Sequence, residues 1–182
     1  MTYPSNHRAK PFIDRVRTLA DEAGLPLRTI SGGGTGTPEV SAAIGCTETR
    51  IGSYVFEGLR RFNRDRNPPN PTTCAERMIV TVVNTPTPER AIVDGGQKTF
   101  TSYAPTPYGY IVEHPDAKVV GMSVEHGHID TSSCDHAFTV GDRLSIIPLH
   151  QGMTKNLHDE VHVVRDGSVV ATWKVAGRGK VQ

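Results

Sequence analysis

The sequence has 182 residues with 20 Lys and Arg against 19 Asp and Glu, and a net charge of +1 excludes the strong basic field of a dedicated nucleic-acid or anionic-membrane binder. At 36% hydrophobic and 21% charged residues it is too apolar for a disordered chain, while 18 Gly and 13 Pro favour short elements over long helical bundles. Cys46, Cys74 and Cys134 form no CxxC pair, and neither a signal-peptide core nor a membrane-length apolar run is present, so a soluble protein of a reducing, cytoplasmic setting is expected.

From Pro11 the apolar residues Phe12, Ile13, Val16, Leu19, Ala20 and Ala23 recur at helical spacing, and Gly24 and Pro26 stand where a helix should stop. Leu27 to Ser31 is short enough for a strand and runs into Gly32-Gly33-Gly34-Thr35-Gly36-Thr37. Thr37-Pro38-Glu39 then reads as an N-cap, a first-turn proline and an early acid. A similar unit follows at Ile51-Gly52-Ser53-Tyr54, with a helix expected through Phe56, Leu59, Arg60 and Phe62. Asn63 to Thr73, which includes Pro68-Pro69-Asn70-Pro71, reads as a linker. The predicted domains are 1–66, an α/β barrel end, and 67–182, a mainly antiparallel β domain. Strands are predicted over Met78–Val83, Ala91–Val93, Lys118–Val124, Leu144–Ile147, Val161–Val164 and Val169–Val175, the last two joined as a hairpin at Asp166-Gly167.

Glycines in Gly32 to Gly36 let backbone N–H groups turn toward one point, and a helix opening at Pro38 adds its positive end, so an anion such as phosphate is favoured there over a plain tight turn. No Lys follows, which excludes a Walker loop, and Glu39 stands where a dinucleotide fingerprint needs its third glycine. His126-Gly127-His128 could share a metal if extended, although hydrogen-bonded surface histidines are the plainer reading; His150 at a strand end is a better site position. A hydrolase built on His126, His128 and His150 is the weakest alternative. Lys98 follows a tight turn, where a lone lysine is usually a surface charge. A (β/α)₈ barrel needs about 250 residues, so the first 66 positions could supply only its end, where phosphate loops often lie.

Several short motifs occur in one order: Ser31-Gly-Gly-Gly-Thr-Gly-Thr37, Thr49-Arg-Ile-Gly-Ser-Tyr-Val-Phe56, Cys74-Ala75, Val93-Asp-Gly-Gly-Gln-Lys98, Glu125-His-Gly127, Val140-Gly-Asp-Arg143, Ile147-Pro-Leu-His150, and Trp173 through Arg178-Gly179. Together they resemble the D-threonine aldolase and D-serine dehydratase family of pyridoxal-phosphate enzymes, the branch with the alanine-racemase type of barrel, over Phe12 to Gly179. The resemblance implies a C-terminal portion: the end of a (β/α)₈-type barrel followed by a β domain. It implies a lyase acting on D-3-hydroxyamino acids by retro-aldol cleavage or β-elimination, with the cofactor phosphate on Gly33, Gly34, Thr35, Gly52, Ser53 and Tyr54.

The resemblance further implies a divalent metal, zinc or manganese, on a His-x-Cys or His-x-Asp pair; here the pair reads His150-Gln151-Gly152. It implies a Schiff-base lysine within Arg-Pro-His-x-Lys, but the only early lysine is Lys10, outside any such motif. The expected partners are a small D-amino acid and either a second copy of the chain or a complementing barrel chain, with no nucleic acid or membrane. The alternative is a non-catalytic β-domain protein that keeps an anion- or cofactor-binding loop.

Overall fold

The computed structural model describes residues 8–59, 70–103 and 106–180. They fall into two compact units, Met1–Val55 and Phe56–Gln182. The boundary expected between residues 66 and 67, and the helical continuation at Arg60 and Phe62, lie outside the described residues.

The first unit opens with helix α1 (Ala9–Glu22), whose end is closed by the Gly24 and Leu25 N–H groups donating to Asp21 O and Ala20 O. Strand β1 is short, Ser31–Gly32, and pairs in parallel with β2 (Glu48–Thr49), Ser31 opposite Glu48 and Gly32 opposite Thr49. Helix α2 (Pro38–Ala43) connects them, with Thr37 as N-cap and Pro38 in the first turn as expected. Thr37 caps through its backbone: its carbonyl accepts from both the N–H and the Oγ of Ser41. This is one β–α–β unit, the connection that parallel strands require. A full (β/α)₈ barrel is not seen among the described residues. The Ser53–Val55 segment is a single 3₁₀ turn.

The second unit contains a closed six-stranded antiparallel barrel. Its strands are β3 (Met78–Thr87), β4 (Arg90–Val93), β5 (Gly109–Ile111), β6 (Lys118–Met122), β7 (Gly127–Asp130) and β8 (Arg143–Pro148), in the order β3-β4-β7-β6-β5-β8 and back to β3. Closure removes the free edges that an open sheet would expose. Alternation places Val80, Val82, Ala91, Val93, Ile111, Val119, Ile129, Leu144 and Ile146 inside, with Phe100 added from a loop. On the other face of β8, Ile147 joins Leu59, Cys74 and Leu149 in a second small cluster. Helix α3 (Gln151–Lys155) leaves β8 directly, and β9 (Glu160–Arg165) with β10 (Ser168–Lys174) form a separate antiparallel hairpin.

Candidate functional site

The two glycine-hydroxyl turns of the first unit follow the carboxyl ends of adjacent parallel strands, where α/β proteins build ligand sites. Register alone therefore brings them together. Thr35 Oγ1 accepts from the Gly52 N–H at 3.3 Å and the Ser53 N–H at 3.1 Å, and lies 2.9 Å from Ser53 Oγ. Two amides and a hydroxyl thus converge on one oxygen. Gly33 adopts φ +67°, and a Cβ there would lie 1.9 Å from Ser41 Oγ, so the loop can pass over α2 only without a side chain. Close packing therefore accounts for part of the glycine run. The Gly34 carbonyl accepts from Thr37 N–H, closing the turn. Tyr54 is 57% exposed beside Ser53. Of the six expected phosphate residues, Thr35, Gly52 and Ser53 are joined by hydrogen bonds, Gly33 and Gly34 shape the loop, and Tyr54 contributes an exposed phenol.

The second unit holds the residues proposed for metal. His150 is the N-cap of α3 and its Nδ1 accepts from Met153 N–H at 3.2 Å, while its ring meets Tyr103 edge-on at 6.1 Å. Gly152 offers no donor; a Cβ there would lie 3.3 Å from His150 Cε1. No group of three His, Cys, Asp or Glu able to hold an ion occurs among the described residues. The residues present therefore do not fit the metal expected at His150, nor the hydrolase built on three histidines. His126 precedes β7 rather than lying on it. His128 Nδ1 lies 2.9 Å from Arg90 Nη2 and its Nε2 3.0 Å from Ser123 Oγ. Because arginine only donates, Nδ1 is the acceptor and the imidazole is committed to a structural network.

Two of the shared motifs pack on each other. A Cβ on Gly96 would meet Ser123 O at 2.5 Å, one on Gly127 would meet Gly95 O at 2.5 Å, and the N–H groups of Gln97 and Lys98 donate to Ser123 O and Val124 O. Lys98 pairs with Glu125, both more than half exposed, as a surface charge. A groove of about 560 Å³ lies beside α3, lined by Gln97, Thr101, Ser102, Gly152 and Asn156 among others. Sequence reasoning missed the pairing of Lys155 with Glu76, since 79 residues separate them and neither stands in a motif. Burial pushes the Cys74 thiol up, away from a nucleophilic role.

A family model described as "Putative serine dehydratase domain" matches residues 75–164. A D-threonine aldolase of Arthrobacter sp is 35% identical over 162 residues, covering 88% of this chain and 42% of that protein. An uncharacterised protein of Mycobacterium bovis is 38% identical over 94 residues, 50% of this chain and 71% of that one. The crystal structure of D-threonine aldolase from Filomicrobium marinum superposes with a TM-score of 0.81 at 25% identity, covering 97% of this chain and 48% of that chain. The chain belongs to the D-threonine aldolase and D-serine dehydratase family. It corresponds to the C-terminal portion of the family fold and spans less than half the length of the two aldolases. The family match begins at residue 75 and covers the six barrel strands, while the aldolase likeness extends into the first unit with its paired glycine turns. No helix among the described residues is long and apolar enough to cross a membrane.

Proposed function

We propose that this chain supplies the phosphate-binding turns and the β domain of a pyridoxal-phosphate lyase for D-3-hydroxyamino acids. The observation that carries the reading is the convergence of Gly52 N–H, Ser53 N–H and Ser53 Oγ on one acceptor position at Thr35. Donors of that type and spacing suit a phosphate oxygen, and the strand ends hold them in place without reorganisation. Gly33, in the left-handed region, and Gly34 turn the loop over α2, and Tyr54 adds a phenolic O–H at the rim. Pyridoxal phosphate, when bound, would supply the electron sink for a carbanion at Cα, which retro-aldol cleavage and β-elimination share.

This chain's own lysines do not favour covalent attachment. Lys10 pairs with Asp14 on α1, Lys98 with Glu125 and Lys155 with Glu76, and none of the six lysines, Lys118, Lys174 and Lys180 included, stands in an Arg-Pro-His-x-Lys setting, so we propose that the Schiff-base lysine comes from outside these 182 residues. The second reading, a cofactor- or anion-binding protein without catalysis, draws on Gly152, which stands where the expected His-x-Cys or His-x-Asp pair has its second ligand.

The test is titration of the chain with pyridoxal phosphate, with inorganic phosphate as competitor, for the wild type, Ser53→Ala and Thr35→Val. Loss of a hydrogen bond to a charged oxygen is worth about 1.5–3 kcal/mol, so each variant should bind roughly 10- to 100-fold more weakly. Unchanged affinity in both variants would remove the phosphate site. Borohydride reduction and peptide mapping then test where the Schiff-base lysine lies. Absence of a specific lysine adduct fits an external lysine; a single adduct with turnover of D-threonine to glycine and acetaldehyde, or of D-serine to pyruvate and ammonia, would place the whole activity in this chain.

A further inference from the structure

The loop between β7 and β8 crosses the barrel with two of its side chains, Cys134 and Phe138, packed against the core. Its ends are tied to the β3–β4 hairpin: Thr131 N–H and Oγ1 donate to Glu89 O and Pro88 O, Gly141 N–H donates to Val82 O and Asp142 O accepts from Val82 N–H. Between those ends its hydrogen bonds are local: Thr139 N–H and Oγ1 donate to the Asp142 carboxylate, and Cys134 N–H donates to Thr131 O. Ring contacts at His114 join this middle stretch to the β5–β6 turn. The His136 ring stacks on His114 with centroids 4.1 Å apart and planes 16° from parallel, and both rings meet Phe138 edge-on at 4.8 and 5.0 Å. Asp142 Oδ2 lies 3.5 Å from His136 Nε2.

We propose that the stacked His114 and His136 rings form an acid-released clasp that holds the β7–β8 loop, with Phe138 and Cys134, against the barrel core. Neutral imidazoles stack as aromatic rings do. A proton on His114 faces the His136 ring at the stacking distance, and when both rings are charged, two like charges at that separation repel. Besides His136, the groups facing His114 are Glu113 and Asp142. Glu113 is already engaged: its Oε2 accepts from Ser145 N–H, and it lies in the field of Arg77. Asp142 is held by Thr139 and faces His136. Burial and then the neighbouring His136 hold the His114 imidazole below its ordinary value, so its neutral form belongs to the closed loop. Below that value the rings separate and the loop loses its link to the β5–β6 turn. The barrel strands carry no such pair and stay closed.

The experiment is hydrogen exchange by mass spectrometry on the full chain at about pH 7.5 and about pH 5, either side of the ordinary imidazole value, corrected for intrinsic exchange. The 131–142 segment should exchange about tenfold faster at the lower pH, the ratio that one pKa unit of coupling produces, while β4 stays protected. His114→Phe keeps a stacked ring without the charge and should abolish the acid response. Equal protection of 131–142 at both pH values, or an unchanged acid response in His114→Phe, overturns the clasp. An NMR titration of the wild type reads the same device without substitution: His114 should titrate below the ordinary imidazole value, and a His114 that titrates at that value overturns it.

Discussion

Lys155 leaves the end of α3 and donates to Glu76 Oε2 at 2.5 Å with its ammonium 3.4 Å over the Phe56 ring, in a site where the two side chains are 18% and 10% exposed. Glu76 Oε1 is buried with no hydrogen-bond partner, so the carboxylate is half satisfied. Burial pushes the Glu76 carboxyl above the usual carboxylate range, and the Lys155 hydrogen bond and charge pull it partly back. Removing one partner strands the other: Lys155→Met should cost about 3–5 kcal/mol, whereas Lys155→Met with Glu76→Leu should recover most of it. Urea unfolding of the three proteins checks this, and a double variant no better than the single one would show that the pair itself contributes the stability. The pH dependence has a defined sign. With its folded-state value raised, Glu76 contributes stability below the ordinary carboxylate value and loses it as pH rises through the raised one. Glu76→Gln should abolish that part of the fall. None of this was legible in the sequence, because a buried pair between distant loop and helix residues follows no periodicity. The phosphate turns were legible, since glycines and hydroxyl residues after short apolar runs state their backbone demands locally.

At the scale of elements, local chemistry set what could be read. The Asp166-Gly167 hairpin was expected from two residues, and both have positive φ, 49° and 76°, the pattern of a type I′ turn. Val169 faces Val164 and Trp173 faces Val161 across the ribbon, yet β9 and β10 pair only with each other among the described strands. A lone hairpin is marginal in water, so its turn matters more than a turn in the barrel. Gly167→Val forces a β-branched residue into the left-handed region at a cost of about 1–2 kcal/mol. Amide exchange in β9 and β10 should rise about 5- to 30-fold with β4 unchanged; equal protection in the variant would mean that packing elsewhere holds the ribbon.

The strands that sequence reading missed are β5 and β7, three and four residues long, too short for alternation to show. Gly109 at the start of β5 also reads as a breaker, whereas a Cβ there would strike Ile146 Cγ2 at 2.4 Å. Thr85-Pro86-Thr87-Pro88 reads as a turn, and the chain does turn at Pro88-Glu89, but β3 runs on to Thr87 because register shifts after Val82 and Asn84 accommodate Pro86. Helix α3 was missed because Gly152 interrupts five residues that packing, not propensity, makes helical.

For the whole molecule, the two units differ in how completely each buries itself. The second unit has a closed barrel with a continuous core. In the first, no residue of α1 is buried, Phe12, Leu19, Leu25 and Leu27 are 71%, 46%, 70% and 43% exposed, and the sheet has two parallel strands among the described residues. Parallel strands are stable when both faces are covered, and a pair with one short connecting helix lacks that cover. The amphipathic pattern of α1 was legible, but the pattern states which face seeks cover and not whether cover is present. The expected outcome is a two-tier exchange pattern: amides of α1, α2, β1 and β2 exchange at least tenfold faster than those of β4 and β8, a gap of about 1.4 kcal/mol or more. Pyridoxal phosphate bound at the Thr35 and Ser53 turns should narrow the gap from one side only. At a hundredfold excess over its dissociation constant it would add about 2.7 kcal/mol to the unit that binds it, slowing exchange in α2, β1 and β2 while β4 and β8 stay as they were. Equal protection of the two units without cofactor would mean that the first unit is self-sufficient. Slowing confined to the barrel would move the cofactor site out of the glycine turns altogether.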